Sequence, residues 1–381
     1  MITVIIDDFG ASVESENNRE AIERAVKSLE NGGTVIVPRG VYLTSTVRLA
    51  SDVTLYLSKG AILRAIPDAS LYEANGYRDS FGKDTTSFLI AKDCENVGID
   101  GEGMIDLSGE HFMIDFGNPD SEDPYKYGER ISRPIFFDGC TNAFVRNIEI
   151  HDAPCWTVTF HNCTGATFEN ITVRNNPRIP HNDGVHISAS HNVTVRNCDF
   201  VCGDDCVAIT SLLDYSKNCR NITVSDCRMS SRSAALRMGH IASRVENVHA
   251  ENLDIYDTNR GVAIFAGNGG SVKNVSIENV VSQTRIYGNW WGKGEPFVIT
   301  NAGSDGEIAN ISINRFKAQS DSPSLIIGDS MKNISVENYS YTEVTSRYPE
   351  LLKVAELQPN GLFEKIESTD GIVRCKAKRI K

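Results

Sequence analysis

Three aspartates carry the chemistry that is easiest to read in this chain. Asp183 lies in "HNDGVHI", and Asp204, 21 residues later, stands beside Asp205 in "GDDCVAI". Adjacent residues of a strand point to opposite faces, so an Asp-Asp pair in a strand-like stretch needs a reason. Either the strand ends and turns there, or the two charges act on a bound ligand. If the chain stacks in coils of about that spacing, Asp183, Asp204 and Asp205 gather on one outer face. Three carboxylates in one groove cannot all ionise comfortably, so at least one should keep its proton above the ordinary range. A proton donor and a water activator facing each other across a sugar are what glycoside hydrolysis requires. The spacing alone also fits turn-capping aspartates beside Gly184 and Gly203, or a calcium site.

The elements that would position these residues are repeats. Asn, an apolar residue, a third residue and a second apolar one recur as "NVGI" at 96, "NAFV" at 142, "NVTV" at 192, "NITV" at 221, "NVHA" at 247, "NVSI" at 274, "NISI" at 310 and "NISV" at 333, with "GATF" at 165 in the same frame. From 142 the starts differ by 23, 27, 29, 26, 27, 36 and 23 residues. Strands this short cannot bury an apolar face alone, so the spacing implies stacked coils around one shared core. The fold class expected is all-β, a right-handed parallel β-helix spanning residues 1–381 as one domain. A helix-containing cap is expected at about 14–33, where Ala21, Ile22, Ala25, Val26 and Leu29 recur at helical spacing before Gly32-Gly33, and the catalytic coils at about 140–300. The 36-residue interval holds an inserted loop, "RIYGNWWGKGEP". The many Asn-x-Ser/Thr triplets read as repeat turns, not as glycan sites.

These residues resemble the polygalacturonase-like enzymes of glycoside hydrolase family 28. The resemblance runs from "IIDDFGAS" through "RPIFFDGCTNAFVRNIEIHDAPCWTV" and "HNDGVHI" to "GDDCVAI", over most of the chain. The family pairs Asn-Thr-Asp-Gly with Gly-Asp-Asp-Cys one coil later. Here the first is His181-Asn182-Asp183-Gly184 and the second, intact, is Gly203-Asp204-Asp205-Cys206. The resemblance implies a right-handed parallel β-helix and single-displacement hydrolysis with inversion. Asp204 would be the general acid, and Asp183 and Asp205 would activate the water.

The family pattern breaks further on. The Gly-His-Gly that supports the carboxylates should fall near "SSRSAA" (230–235), where Arg232 is the large polar residue; His240 is a possible substitute. The Arg-Ile-Lys that binds a galacturonate carboxylate is replaced by Ala263-Ile264-Phe265. Losing both cations argues against homogalacturonan. Either Arg178, Arg232, Arg237 or Arg260 takes over, or the key sugar is neutral, for which a Phe265 ring is suited. Substrate-binding candidates are therefore His181, Arg232, Arg237, His240, Phe265, Trp290 and Trp291, the two tryptophans being in the inserted loop. Trp156 is expected to pack near the coil face, and His161 and His186 to be satisfied polar groups. Tyr125 and Tyr127, in a polar insertion, could wall one end of the groove.

Composition narrows the partners. A net charge of −12 argues against nucleic acid and anionic membrane, and no apolar run approaches a membrane span. No cofactor or resident metal is expected, and the partner is a carbohydrate substrate. Ten cysteines without metal spacing read as buried thiols, with disulfides as the alternative. No leader is evident in "MITVIIDDFGAS", so the chain is expected in the cytoplasm, or outside the cell if a leader has been trimmed. The long faces of a solenoid leave oligomeric state open. Two other classes stay in play: a carbohydrate-binding β-helix with a decayed site, and a lyase or epimerase that needs a base with cationic help.

Overall fold

The computed structural model describes residues 2–79, 82–301, 304–329, 331–347 and 363–377. The chain winds as a right-handed parallel β-helix. Each coil adds a strand to a 12-stranded sheet and one or two to an 18-stranded sheet. Val185–Ser188, for instance, pairs in parallel with Val158–His161 before it and Val207–Thr210 after it. Strand alternation decides which residues form the core. Val185, Ile187, Val207, Ile209, Leu236 and Met238 point inward and are fully buried, stacking coil on coil. Each such side chain contributes about 1.5–3 kcal/mol relative to exposure.

The Asn repeat marks the corners. Asn192, Asn221, Asn247, Asn274, Asn310 and Asn333 all have positive φ, between 53° and 58°. Asn adopts that left-handed region more readily than other residues with a Cβ. From Asn221 onward each amide also donates to the Asn one coil earlier, as Asn221 does to Asn192 at 2.9 Å and Asn247 to Asn221 at 3.0 Å. The triplets read as turns are therefore a polar ladder. A second ladder, which the sequence pattern did not single out, links Asn147, Asn170 and Asn197.

The helix is Arg19–Lys27, which buries Ala21, Ile22, Ala25 and Val26 over the first coil. It stops before Gly32-Gly33. Hydrogen-bonded turns follow, and Gly32, at φ +79°, bends the chain into Gly33–Val37. All ten cysteines are buried thiols. At the C-terminal end Ile372–Ala377 pairs in parallel with Ser324–Ile327, adding a strand to the stack; residues 378–381 lie outside the described residues. No helix among the described residues is long and apolar enough to cross a membrane.

Candidate active site

The site is built from one slot of the repeat, two residues before the first inward residue of each strand in the 12-stranded sheet. In successive coils Ile135, Val158, Val185, Val207, Leu236, Val262 and Phe297 lie in register. The slot ahead of them therefore holds Arg133, Trp156, Asp183, Asp205, Ala234, Arg260 and Glu295. Asp204 sits one place earlier in its coil. Asp204 and Asp205 occupy a turn between Asp199–Cys202 and Val207–Thr210, not a strand. That is why both can face one site. The two motif glycines permit the close approach. A Cβ on Gly203 would lie 2.3 Å from the Ile179 carbonyl, and one on Gly184 would lie 2.5 Å from that of Cys206. Asn182 ties the coils together, its Oδ1 accepting from the Gly203 and Asp204 amides at 2.6 and 3.2 Å.

The three carboxylates are held differently. Asp205 is saturated: Oδ1 accepts from the Ser233 hydroxyl at 3.0 Å and the Ala234 amide at 3.1 Å, and Oδ2 pairs with Arg237 Nε. Asp183 has one bond, from His186 Nδ1 at 2.8 Å, while His186 Nε2 meets the Thr210 hydroxyl at 2.9 Å. Asp204 Oδ1 accepts the Asp205 amide at 2.9 Å, and Oδ2 lies 3.5 Å from His181 Nδ1. Asp183 and Asp205 are 1% exposed and Asp204 is 8%, so Asp204 is the carboxyl a ligand reaches first.

Burial, then repulsion from Asp204 and Asp205, holds the Asp183 carboxyl well above the usual range. Burial also raises Asp205, against the pull of Arg237. The cluster therefore keeps a proton where an isolated carboxyl would lose it, and that proton belongs to the group as a whole. Burial works against the charge on Arg237, but Asp205, Asp183 and Asp204 together hold the guanidinium protonated. Burial, Arg237 and Arg133 keep His186 neutral, which suits a ring that donates to Asp183 and accepts from Thr210. Trp156 stacks on that ring at 3.6 Å, and the Arg133 guanidinium lies 3.7 Å over the indole.

The structure sorts the other candidates. Arg237 is in the cluster; the other three arginines are committed elsewhere. Arg232 turns away to Asp257 (3.2 Å) and stacks on Tyr287, because the turn after Ser231 directs it to the next coil; the Ser233, Ala234 and Arg237 donors do its expected work. Arg260 pairs with Glu295 at 3.2 Å, and Arg178 bonds the carbonyls of Phe116, Asn118 and Asp123. Trp290 is buried, with Nε1 donating to the Glu122 carbonyl at 2.7 Å, so it anchors its loop to the polar insertion instead of meeting solvent. Trp291 is 49% exposed, with its ring 5.3 Å from His181. Tyr127 approaches His181 edge-on at 5.9 Å, whereas Tyr125 packs on Phe116 and under Arg178. His240 lies by Arg237; burial and that cation depress it to about 4. Phe265 points outward in register with Gly239 and Thr300, beside buried Ala263 and Val298. His161 departs from expectation: its buried Nδ1 has no hydrogen-bond partner. Arg133 and Ser233 were missed; counting two residues back from each strand start would have found Arg133.

Stacked parallel coils that gather three carboxylates on an outer sheet face are the architecture of a β-helical glycoside hydrolase. The chain belongs to glycosyl hydrolases family 28, whose family model matches residues 33–290. It is 26% identical over 308 residues to a probable polygalacturonase of Vitis vinifera, covering 74% of this chain and 61% of that protein. It is equally 26% identical over 282 residues to an endo-polygalacturonase of Pectobacterium carotovorum subsp. carotovorum, covering 70% of each. The crystal structure of a hyperthermoactive exopolygalacturonase from Thermotoga maritima shares the fold, with a TM-score of 0.70 at 22% identity over 91% of both chains. The matched region spans about three-fifths of the length of the plant polygalacturonases.

Proposed function

We propose that this chain hydrolyses a glycosidic bond with inversion, and that the sugar lying over Ala263 and Phe265 is neutral. The observation that carries the reading is the unequal treatment of three clustered carboxyls. Asp204, the most accessible, protonates the glycosidic oxygen as its bond to the anomeric carbon breaks. Asp183 and Asp205, deeper in the site, orient and deprotonate the water that attacks from the other side. Arg237 supplies the cation that lets Asp205 stay ionised beside its neighbours. The relatives are polygalacturonases by name, yet the place of their second cationic motif is apolar here, and Arg178, Arg232 and Arg260 are bound to protein partners. An acidic sugar on that side would meet two cations already paired with carboxylates, Arg237 with Asp205 and Arg260, 5.5 Å from the Phe265 ring, with Glu295. Trp291 offers an exposed ring for a sugar face.

The test is a reducing-end and thin-layer screen against polygalacturonate, rhamnogalacturonan and neutral glycans, with Asp204→Asn beside the wild type. Cleavage by the wild type alone, of a substrate with a neutral sugar at the bond, is expected. Full activity in Asp204→Asn would overturn the roles. Cleavage of polygalacturonate would mean that Arg237 or Arg260 holds the anionic sugar despite its carboxylate partner.

A further inference from the structure

Asp204 must be protonated again after each turnover, and the site shows where that proton can come from. Asp204 Oδ1 is occupied by the Asp205 amide, which leaves Oδ2 for chemistry. The polar side chain facing Oδ2 is His181, with Nδ1 at 3.5 Å. The two are not hydrogen-bonded at that separation, and contacts to catalytic groups often tighten only when substrate binds. The His181 side chain is 40% exposed and that of Asp204 11%, so the ring spans solvent and carboxyl.

Its placement is enforced. His181 has φ +65°, a left-handed conformation that is unfavourable for a non-glycine residue and persists only where surroundings hold it. Tyr127 and Trp291, from two separate insertions, flank the ring. Arg130 lies 3.5 Å over the Tyr127 ring and donates to the carbonyl of Pro180, the residue before His181. The charges facing the imidazole are thus Asp204 and, behind Tyr127, Arg130. His240, also near Asp204, is kept neutral above about 4 by burial and Arg237, so it holds no proton to give.

We propose that His181 returns to Asp204 the proton that Asp204 gives to the leaving group. The inference rests on the hydrolase reading above. In the forward step the Asp204 O–H protonates the glycosidic oxygen, the old C–O bond breaks, and the attacking water forms the new one. The water's proton passes to the deep carboxylates. Asp204 is then a carboxylate; the His181 imidazolium transfers its Nδ1 proton to Oδ2 and regains one from solvent, while the deep carboxylates release theirs. The cycle consumes one water and no net proton. His181 acts through Asp204, so it is a positioning residue in the reaction and not a catalytic one.

The experiment uses the full chain with whichever glycan the screen shows it to cleave. His181→Ala should lower kcat by about 10- to 100-fold, leave KM within about twofold, and regain activity with added imidazole. Wild-type kcat across pH 5–8 would overturn the proposal. So would a loss that imidazole does not restore and that Trp291→Ala reproduces, since that is the signature of a sugar platform. A second measurement needs no turnover: the His181 ring, followed by NMR, should titrate at lower pH in Asp204→Asn than in the wild type. An unchanged titration overturns the inference even where no glycan is cleaved, whereas a shifted titration with no cleavage counts only against the hydrolase reading.

Discussion

Two rows of stacked positions run along this molecule, one uniform and one mixed. In the first, Asn221, Asn247, Asn274, Asn310 and Asn333 each donate to the amide one coil back at 2.8–3.0 Å, the row starting at Asn192. In the second, the same slot holds Arg133, Trp156, Asp183, Asp205, Ala234, Arg260 and Glu295. An amide carries both donor and acceptor, so identical neighbours satisfy one another and the row extends coil after coil. A carboxylate only accepts. Two of them in adjacent coils repel and must recruit donors of other kinds, here His186, Ser233, the Ala234 amide and Arg237. The uniform row supports the coil, and the mixed row gathers carboxyls held above their ordinary range.

Substitutions in each row can break or sharpen this contrast. The largest effect should come from Asp204→Asn, with turnover lost by about 10³-fold and the thermal midpoint nearly unchanged. Next is Arg237→Met, which leaves Asp205 buried without its cation. Denaturant unfolding should show a cost of about 3 kcal/mol, and adding Asp205→Asn should recover most of it. If the double variant is no better than the single one, the pairing is not what Arg237 contributes. In the uniform row, Asn247→Ala loses two amide bonds and forces Ala into a left-handed conformation, for about 2 kcal/mol. Asn247→Gly should cost less, because Gly adopts that backbone freely, and neither variant should alter turnover.

The smallest effect carries the opposite sign. Asp183 keeps its proton to higher pH in the folded chain than when unfolded. Folding therefore binds protons between the ordinary carboxyl range and the raised value, and stability falls as pH rises through that window. Asp183→Asn removes the penalty. The variant should be more stable than the wild type at pH 7, with the gain vanishing below about pH 4. Thermal unfolding followed across pH checks both sign and window.

The coil repeat, the all-β fold and the clustering of Asp183, Asp204 and Asp205 were legible in the chain itself. Strand alternation and corner asparagines are local signals that recur every coil, and stacking brings together what the period separates. Arginine partners were not legible. Arg232, Arg237 and Arg260 look alike in sequence, but a long side chain can reach either neighbouring coil, and only the packed turns direct Arg237 to Asp205 and the others to Asp257 and Glu295. Nor could adjacency separate Trp290 from Trp291. Trp290 is buried because its indole meets Glu122, 168 residues away in an insertion with no periodicity, and that contact leaves Trp291 facing the site. The sequence determined by itself what repeats; where the insertions dock, and which cation meets which carboxylate, only the tertiary structure decided, because those contacts join segments that share no period.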